Sequence, residues 1–368
     1  MRRFAVIMAG GSGERFWPAS RRARPKQLLR LTDARLSMLE EAIERIAPLI
    51  PRENIVIATS ELLAEPIAEA LPSLPRENVL AEPEKRNTAA CLALAAAHLE
   101  QQHGDPEDMV MAVLTADHQI GEPERFRADV ARALDFAATE DALVTIGIVP
   151  TRPETGYGYI EVSPSERTGD AADAARTPLR VLRFREKPDE ATARAYARSG
   201  HHYWNSGMFF WRVSTFLRGL ARHMPDLSRA QRTMRDALAS RARGTLREAF
   251  APLADVSIDV GLMERADNVW VLPAGFPWDD VGAWDALERT RTTDAAGNVV
   301  EGDAVLVDAR DSIVFNEADE EIAVALVGVE KVIVAITRDG VLVCSKDRAQ
   351  DVRRAVAELR KRGRERFT

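Results

Sequence analysis

Short apolar runs recur along the first 150 positions, at residues 4–8, 55–58, 110–115 and 143–148, and each is almost free of polar interruptions. That is the pattern of strands buried on both faces. Between them the apolar period changes. In residues 37–50, Leu39, Ala42, Ile43 and Ile46 fall on one helical face, and Ser37 with Glu40 forms an S-x-x-E capping box. Residues 89–103 predict a second helix, capped by Thr88. Alternation of strand and helix implies a mostly parallel sheet with right-handed crossovers, whose ligands belong beyond the carboxyl ends of the strands. The first such end falls at Ala9.

From Gly156 onward the strands shorten, a Pro- and Ala-punctuated insertion occupies residues 163–178, and residues 224–250 form an Arg-rich helical stretch. This region reads as a substrate-side elaboration of the same sheet. A turn-like stretch at 292–298 precedes residues 299–343, where β-branched residues are spaced by Gly and Asp, as in a small all-β unit. The chain closes on a helix over 348–362 with Val352, Ala355, Val356 and Leu359 at i, i+3, i+4, i+7 spacing. Its surplus of Arg reads as a solvated face.

Composition narrows the class. The chain has 368 residues, with 50 Lys+Arg against 57 Asp+Glu and a net charge of −7, which disfavours a protein that coats nucleic acid. Hydrophobic residues make up 46%, enough for a substantial core, and the length predicts two domains or one large domain with an appendage. Cys91 and Cys344 have no CxxC or His partners, so neither a disulfide framework nor a zinc site is expected. The N-terminal apolar stretch spans only residues 4–9 before glycines and charges, too short for a signal peptide, and no apolar run is long enough for a membrane span. The expectation is a cytoplasmic protein.

The chemistry concentrates first in GGSGERFWPASRRARPKQ, residues 10–27. Gly10, Gly11 and Gly13 around Ser12 let backbone amides approach an anion closely. The pattern lacks the Lys-Ser/Thr of a Walker loop and the third glycine of a dinucleotide fingerprint. Arg15 and Lys26, flanking Pro18 and Pro25, add two cations suited to a polyphosphate on what reads as a solvent-facing loop. Asp117 follows the run 110–115 and so stands at a strand's carboxyl end.

These residues resemble the sugar-nucleotide pyrophosphorylases, in the branch of mannose-1-phosphate guanylyltransferases. The resemblance continues through EPEKRNTAAC (82–91), LTADH (114–118), PETGYGYIE (153–161), REKP (185–188), WNSGMFFW (204–211), SIDVGLMER (257–265) and PWDDVGAWDAL (277–287). It implies an α/β fold: a Rossmann-like nucleotidyltransferase domain with a mostly parallel mixed sheet, residues 1–290, and a small C-terminal left-handed β-helix-like domain, residues 291–368. It implies Asp117 and Asp280 as ligands of Mg²⁺, with Asp279 the competing choice in the second motif and His118 a packing or hydrogen-bonding neighbour. Lys187 is implied to meet the phosphate of the sugar, with Glu186, Gly156, Tyr157, Gly158 and Asn205 around the sugar. Asp259 is implied to be either a sugar or a structural residue. Tyr157, Trp204 and Trp211 remain open between core and site. The base falls to the first loop and to Glu82, Arg86, Asn87 and Thr88.

The reaction so implied is attack by a sugar 1-phosphate oxygen on the α-phosphorus of GTP, giving GDP-mannose and pyrophosphate. A phosphate monoester has a second pKa of about 6, so the nucleophile is already mostly dianionic near neutrality. Repulsion between two anions is then the obstacle, and cations are what catalysis requires. The expected partners are GTP and mannose 1-phosphate, with a homodimer possible and no nucleic acid or membrane. Two other readings stand beside this one: another base or sugar on the same fold, and a non-catalytic sensor of GDP-mannose. The sensor would be expected to lose some of Arg15, Lys26, Asp117, Lys187 and Asp280, all of which are present.

Overall fold

The computed structural model describes residues 1–164, 177–185, 187–318 and 322–368. The apolar runs become strands β1 (Arg2–Met8), β2 (Ile55–Ser60), β3 (Val79–Glu82) and β4 (Met109–Thr115). They are followed by β5 (Gln119–Ile120), β6 (Leu143–Ile148), β7 (Tyr159–Val162), β8 (Leu179–Arg185), β9 (His202–Arg212), β10 (Val269–Pro273) and β11 (Trp278–Asp279). Nine of them form one sheet in the order β3-β2-β1-β4-β9-β6-β10-β8-β7, with β7 also pairing β9. The pairs β1–β2, β1–β4, β2–β3 and β6–β10 are parallel, whereas β9 runs antiparallel between β4 and β6. The sheet is mixed as expected but not mostly parallel, because the strands after Gly156 extend it through antiparallel pairs: β8 with β10 and with β7, and β9 with β4, β6 and β7.

The capping box forms as read. Ser37 N–H donates to Glu40 Oε2 at 2.8 Å and Glu40 N–H to Ser37 Oγ at 3.3 Å, opening helix α1 (Met38–Ile46). The next helices are α2 (Glu61–Ala70) and α3 (Asn87–His103). Helix α3 starts before Thr88, so Thr88 does not cap it; its hydroxyl instead accepts from the backbone N–H of Ile258 at 2.8 Å. Residues 89–97 of α3 are all buried, and their many alanines let the helix lie close against the apolar face of the sheet. Among the described residues no helix is long and apolar enough to cross a membrane.

Two compact units emerge. The first gathers residues 1–9, 43–115 and 120–277 and holds the sheet; the second gathers 10–42, 116–119 and 278–368. These units do not follow a cut at residue 290, because the segments leaving the carboxyl ends of β1 and β4 join the C-terminal residues. The physical reason is apolar: Phe16, Leu29, Leu31 and Met38 share a buried cluster with Trp284, Val299, Ile313 and Ile333.

Within the second unit the β-branched stretch forms β12 (Val299–Glu301), β13 (Val305–Val307), β14 (Ile313–Asn316), β15 (Ala325–Val327), β16 (Val332–Thr337) and β17 (Gly340–Ser345). Strands β12, β14 and β16 stack in parallel, as do β13 and β15, which gives a β-helix-like coil closed by antiparallel β17. Two buried asparagines pin successive turns of the coil. The Asn298 amide donates to Ala309 O and Asp294 Oδ2 and accepts from Ser312 N–H, each at 3.0 Å. The Asn316 amide donates to Asp303 O and Ile322 O and accepts from Ala318 N–H.

In the sheet, Gly147 of β6 stands opposite Asn205 of β9. A Cβ there would lie 2.5 Å from Val271 Cγ2 and 2.8 Å from Tyr203 Cβ. Gly147→Ala should therefore cost about 1–3 kcal/mol by overpacking. A urea titration checks this, and an unchanged midpoint would show that the strands have room to part.

Candidate active site

In the second unit, a cavity of about 330 Å³ is lined by Ser12, Gly13, Arg15, Lys26, Asp117 and Asp280, with Glu14, His118, Gly282 and Arg353. Lys26 is its organising side chain. Its Nζ donates to Asp117 Oδ2 at 3.0 Å and to the backbone carbonyl of Asp280 at 2.8 Å. The residue is only 4% exposed, so the expectation of a solvent-facing loop is corrected here. A short 3-10 turn, Lys26–Leu28 after Pro25, and the close approach of Gly13 and the Phe16 ring enclose the side chain, whose ammonium stands at the cavity wall. Gly13 adopts φ +60°, and any Cβ there would collide with the Lys26 side chain and lie 2.9 Å from its backbone nitrogen. This glycine is required by close packing as well as by any anion. Gly10 and Gly11 are exposed and lie outside the cavity lining.

Burial alone would raise the Asp117 carboxyl, but the Lys26 ammonium and His118 beside it hold it below the usual carboxylate range. Burial pushes the His118 imidazole down, toward the neutral form. The Trp278 indole Nε1, a donor only, donates to His118 Nδ1 at 3.1 Å, so the ring proton sits on Nε2, 4.0 Å from Asp117 Oδ1. With its nitrogens so disposed, His118 is a hydrogen-bonding neighbour, as expected. The two carboxylates of WDDVG also separate. Asp279 is bound by Arg289 Nε at 2.6 Å and by the Val281 N–H at 2.8 Å, whereas Asp280 lines the cavity. Arg15 lines it too, with one guanidinium nitrogen 3.3 Å from Gly282 O.

The first unit brings four other motifs together. The Asn205 amide donates to Asp259 Oδ1 at 2.7 Å, its carbonyl accepts from Gly207 N–H at 3.1 Å, and its backbone N–H donates to Gly158 O at 2.9 Å. Asp259 opens a π-helical turn, Asp259–Met263, and burial raises its carboxyl while Asn205, Ser257 and Lys187 pull it back. Lys187 is exposed, at φ +47°, with its N–H on Tyr157 O at 3.2 Å. Glu186 lies outside the described residues. Gly156 N–H donates to Glu154 Oε1. Of the aromatics left open, Trp211 is core, stacked with Phe209 and Phe216, and Trp204 is buried edge-on against the half-buried Tyr157. Arg152, missed in the sequence, lies 5.1 Å from the Trp204 ring and donates to the Tyr157 hydroxyl. No motif marked it.

Residues 82–88 are tied into the first unit. Burial pushes the Glu82 carboxyl up to about 7, against the Cys91 thiol and Lys85. Arg86 donates to Glu84 Oε2 at 2.6 Å and to Ala251 O at 2.8 Å. Asn87, at φ +62°, accepts from Thr88 N–H through its side chain, and the Thr88 hydroxyl is engaged by Ile258. Elsewhere in this unit Glu161, His201 and His202 each offer one potential metal-ligand atom within 4.8 Å of the others. Both imidazole Nδ1 atoms of that cluster already meet Ser199.

Comparison with known proteins accords with this geometry. The Nucleotidyl transferase family matches residues 4–297, and the MannoseP isomerase/GMP-like beta-helix domain matches residues 302–359. A mannose-1-phosphate guanylyltransferase of Escherichia coli is 41% identical over 98% of this chain and 74% of its own length. The xanthan biosynthesis protein XanB of Xanthomonas campestris is 38% identical over 99% of this chain and 74% of its own length. A solved structure from Thermus thermophilus, described as a mannose-1-phosphate geranyltransferase, superposes with TM-score 0.84 at 37% identity, covering 98% of this chain and all of that one. With a nucleotidyl transferase match over most of its length and such relatives across nearly all of it, the chain belongs to the nucleotidyltransferase enzymes of the mannose-1-phosphate guanylyltransferase family.

Proposed function

We propose that this chain transfers the guanylyl group of GTP to α-D-mannose 1-phosphate, giving GDP-mannose and pyrophosphate. The names of its relatives support the substrates. The observation that carries the chemistry is Lys26, whose ammonium joins the Asp117 carboxylate to the Asp280 backbone at the wall of a cavity with Arg15. Charge neutralisation is what an attack between two phosphate groups demands, and no proton need be taken from a nucleophile that is already anionic.

Each unit supplies part of the machinery. In the second, Arg15 and Lys26 neutralise the triphosphate, and the amides of Gly10, Gly11, Ser12 and Gly13 bind its oxygens. Asp117 and Asp280 present hard oxygen donors to one cavity, the donor set that suits Mg²⁺, and these two residues would hold it. When bound, the ion supplies further charge neutralisation for phosphate oxygens. In the first unit, Lys187 meets the sugar's phosphate. Asn205 and Asp259, already locked by their mutual hydrogen bond, turn their remaining donor and acceptors to hydroxyls, with Gly156, Tyr157, Gly158 and Glu186 beside them. Glu82, Arg86, Asn87 and Thr88 are assigned to the nucleotide. The reading takes residues 1–290 as the nucleotidyltransferase module and 291–368 as its β-helix-like partner, supported by the two family matches. A cytoplasmic enzyme belongs to the same proposal.

The primary test is a pyrophosphate-release assay crossing nucleoside triphosphates with sugar 1-phosphates. GTP with mannose 1-phosphate should give the highest kcat/KM, and a tenfold preference for UTP or dTTP, about 1.4 kcal/mol, would overturn the assignment of base.

Lys26→Ala should lower kcat/KM by about 10²–10⁴, comparable to losing a preorganised charge partner. It should also lower the melting temperature, since the Asp280 carbonyl and the Asp117 carboxylate lose their donor. Activity within threefold of the parent would remove Lys26 from the chemistry.

Chelator should abolish turnover and Mg²⁺ restore it. Asp280→Asn should weaken the apparent Mg²⁺ affinity together with kcat; Asp279→Asn should chiefly cost stability, because it weakens the Arg289 pair. The reverse order would move the ligand to Asp279.

A further inference from the structure

The terminal helix, Val352–Lys361, was expected to show its arginines to solvent, yet Arg353 lines the cavity that holds Arg15, Lys26, Asp117 and Asp280. Three observations make this more than a passing approach. The helix is fixed in the second unit: Val352 and Val356 are buried, Arg360 pairs with Glu14 at 2.7 Å, and the Trp17 indole donates to Phe367 O at 2.7 Å. The turn on which it packs, Glu14–Phe16, carries Arg15. Trp17 O in turn accepts from the Trp284 indole at 3.0 Å, so the loop is held from both sides.

The second observation is the state of the Arg353 guanidinium. Arg353 and Arg354 open the α-helix, which continues directly from a 3-10 segment, Lys346–Asp351, that carries Asp347 and Asp351. Arg354 has an ion-pair partner in Asp351 at 3.8 Å; among the described residues Arg353 makes no hydrogen bond or ion pair. Arg353 is exposed and its charge is felt by Asp351, but its N–H donors are left open to a ligand in the cavity.

The third is the charge of the cavity itself. Without Arg353, its cations Arg15 and Lys26 face three carboxylates, Glu14, Asp117 and Asp280, of which Glu14 is already paired with Arg360. Side chains alone then leave Arg15 and Lys26 balanced by Asp117 and Asp280, and Arg353 adds a positive charge beyond that of any cation held by the two aspartates.

We propose that Arg353 binds the outer phosphates of the nucleoside triphosphate, acting with Arg15 on the portion that leaves as pyrophosphate, so that the C-terminal helix supplies a substrate-binding residue. The inference rests on the reaction proposed above for its substrate. Its side is set by the packing of the helix on the turn that carries Arg15. A guanidinium forks two N–H donors onto phosphate oxygens, which suits a terminal phosphate better than a single ammonium.

The test uses the full chain with Arg353→Ala, Arg353→Lys and the neighbouring control Arg354→Ala. Arg353→Ala should raise KM for GTP, and for pyrophosphate in the reverse direction, about tenfold. KM for mannose 1-phosphate should stay within twofold and the melting temperature should not move. Arg353→Lys should recover part of the loss. Calorimetric titration with inorganic tripolyphosphate should show the same order of affinities without any turnover. KM values for GTP and pyrophosphate within twofold of the parent in Arg353→Ala, or an equal loss in Arg354→Ala, would overturn the proposal. If the parent turns over no GTP with any sugar 1-phosphate, the proposed reaction falls, while tripolyphosphate binding still decides Arg353.

Discussion

An ammonium that is almost wholly buried must be met by acceptors, and the second unit is built around meeting that of Lys26. The residue is only 4% exposed, so the segment after β4 delivers the Asp117 carboxylate and the WDDVG turn delivers the Asp280 carbonyl to its ammonium at the cavity wall. Both deliveries constrain their surroundings. Gly13 turns left-handed to leave space for the Lys26 stem. Val281, directly after Asp280, is held at φ +46°, a conformation costly to a β-branched residue, and is anchored there by the Asp279 carboxylate and by complete burial. Strain of this kind persists only where packing over-determines it, and here packing fixes the position of a carbonyl that Lys26 needs.

That packing comes largely from the C-terminal coil. Val299, Ile313 and Ile333, one from each of three stacked strands, share a cluster with Phe16, Leu29, Val281 and Trp284. The coil therefore forms the apolar floor of the glycine-rich loop. Its asparagines satisfy the turns that would otherwise leave buried backbone groups unpaired, which lets so small an all-β element be rigid.

The first unit meets its own buried polar group by a similar economy. Asn205 gives one donor to Asp259 and takes the Gly207 N–H, so its orientation is fixed before any ligand arrives. Gly147 admits the close approach of β6 to β9, where Asn205 sits, and the Gly158 carbonyl accepts from the Asn205 backbone N–H. Preorganised amides of this kind discriminate hydroxyls at little entropic expense.

Much of this was legible in the sequence because it depends on local rules. Uninterrupted apolar runs gave the buried strands, Ser37 with Glu40 gave the start of α1, and spaced β-branched residues gave the coil. The ordered motifs singled out Lys26, Asp117, Asn205 and Asp280, and the structure brings Lys26, Asp117 and Asp280 to one cavity. Tertiary structure decided what depends on partners distant in the chain. Thr88 looks like a helix cap, but Ile258, 170 residues away, claims its hydroxyl. Lys26 looks exposed among arginines and prolines until Gly13 and Phe16 close around its side chain. Asp279 and Asp280 are indistinguishable by spacing, and only Arg289, folded back on the first, separates them. Arg353 belongs to a periodic pattern that predicts a solvated face, and its place at the cavity lined by Lys26 and Asp117 arises because Glu14 and Trp17 hold the terminal segment. Periodicity reports which side of an element is apolar. Which polar side chain meets which partner is set by long-range packing, and no local spacing encodes it.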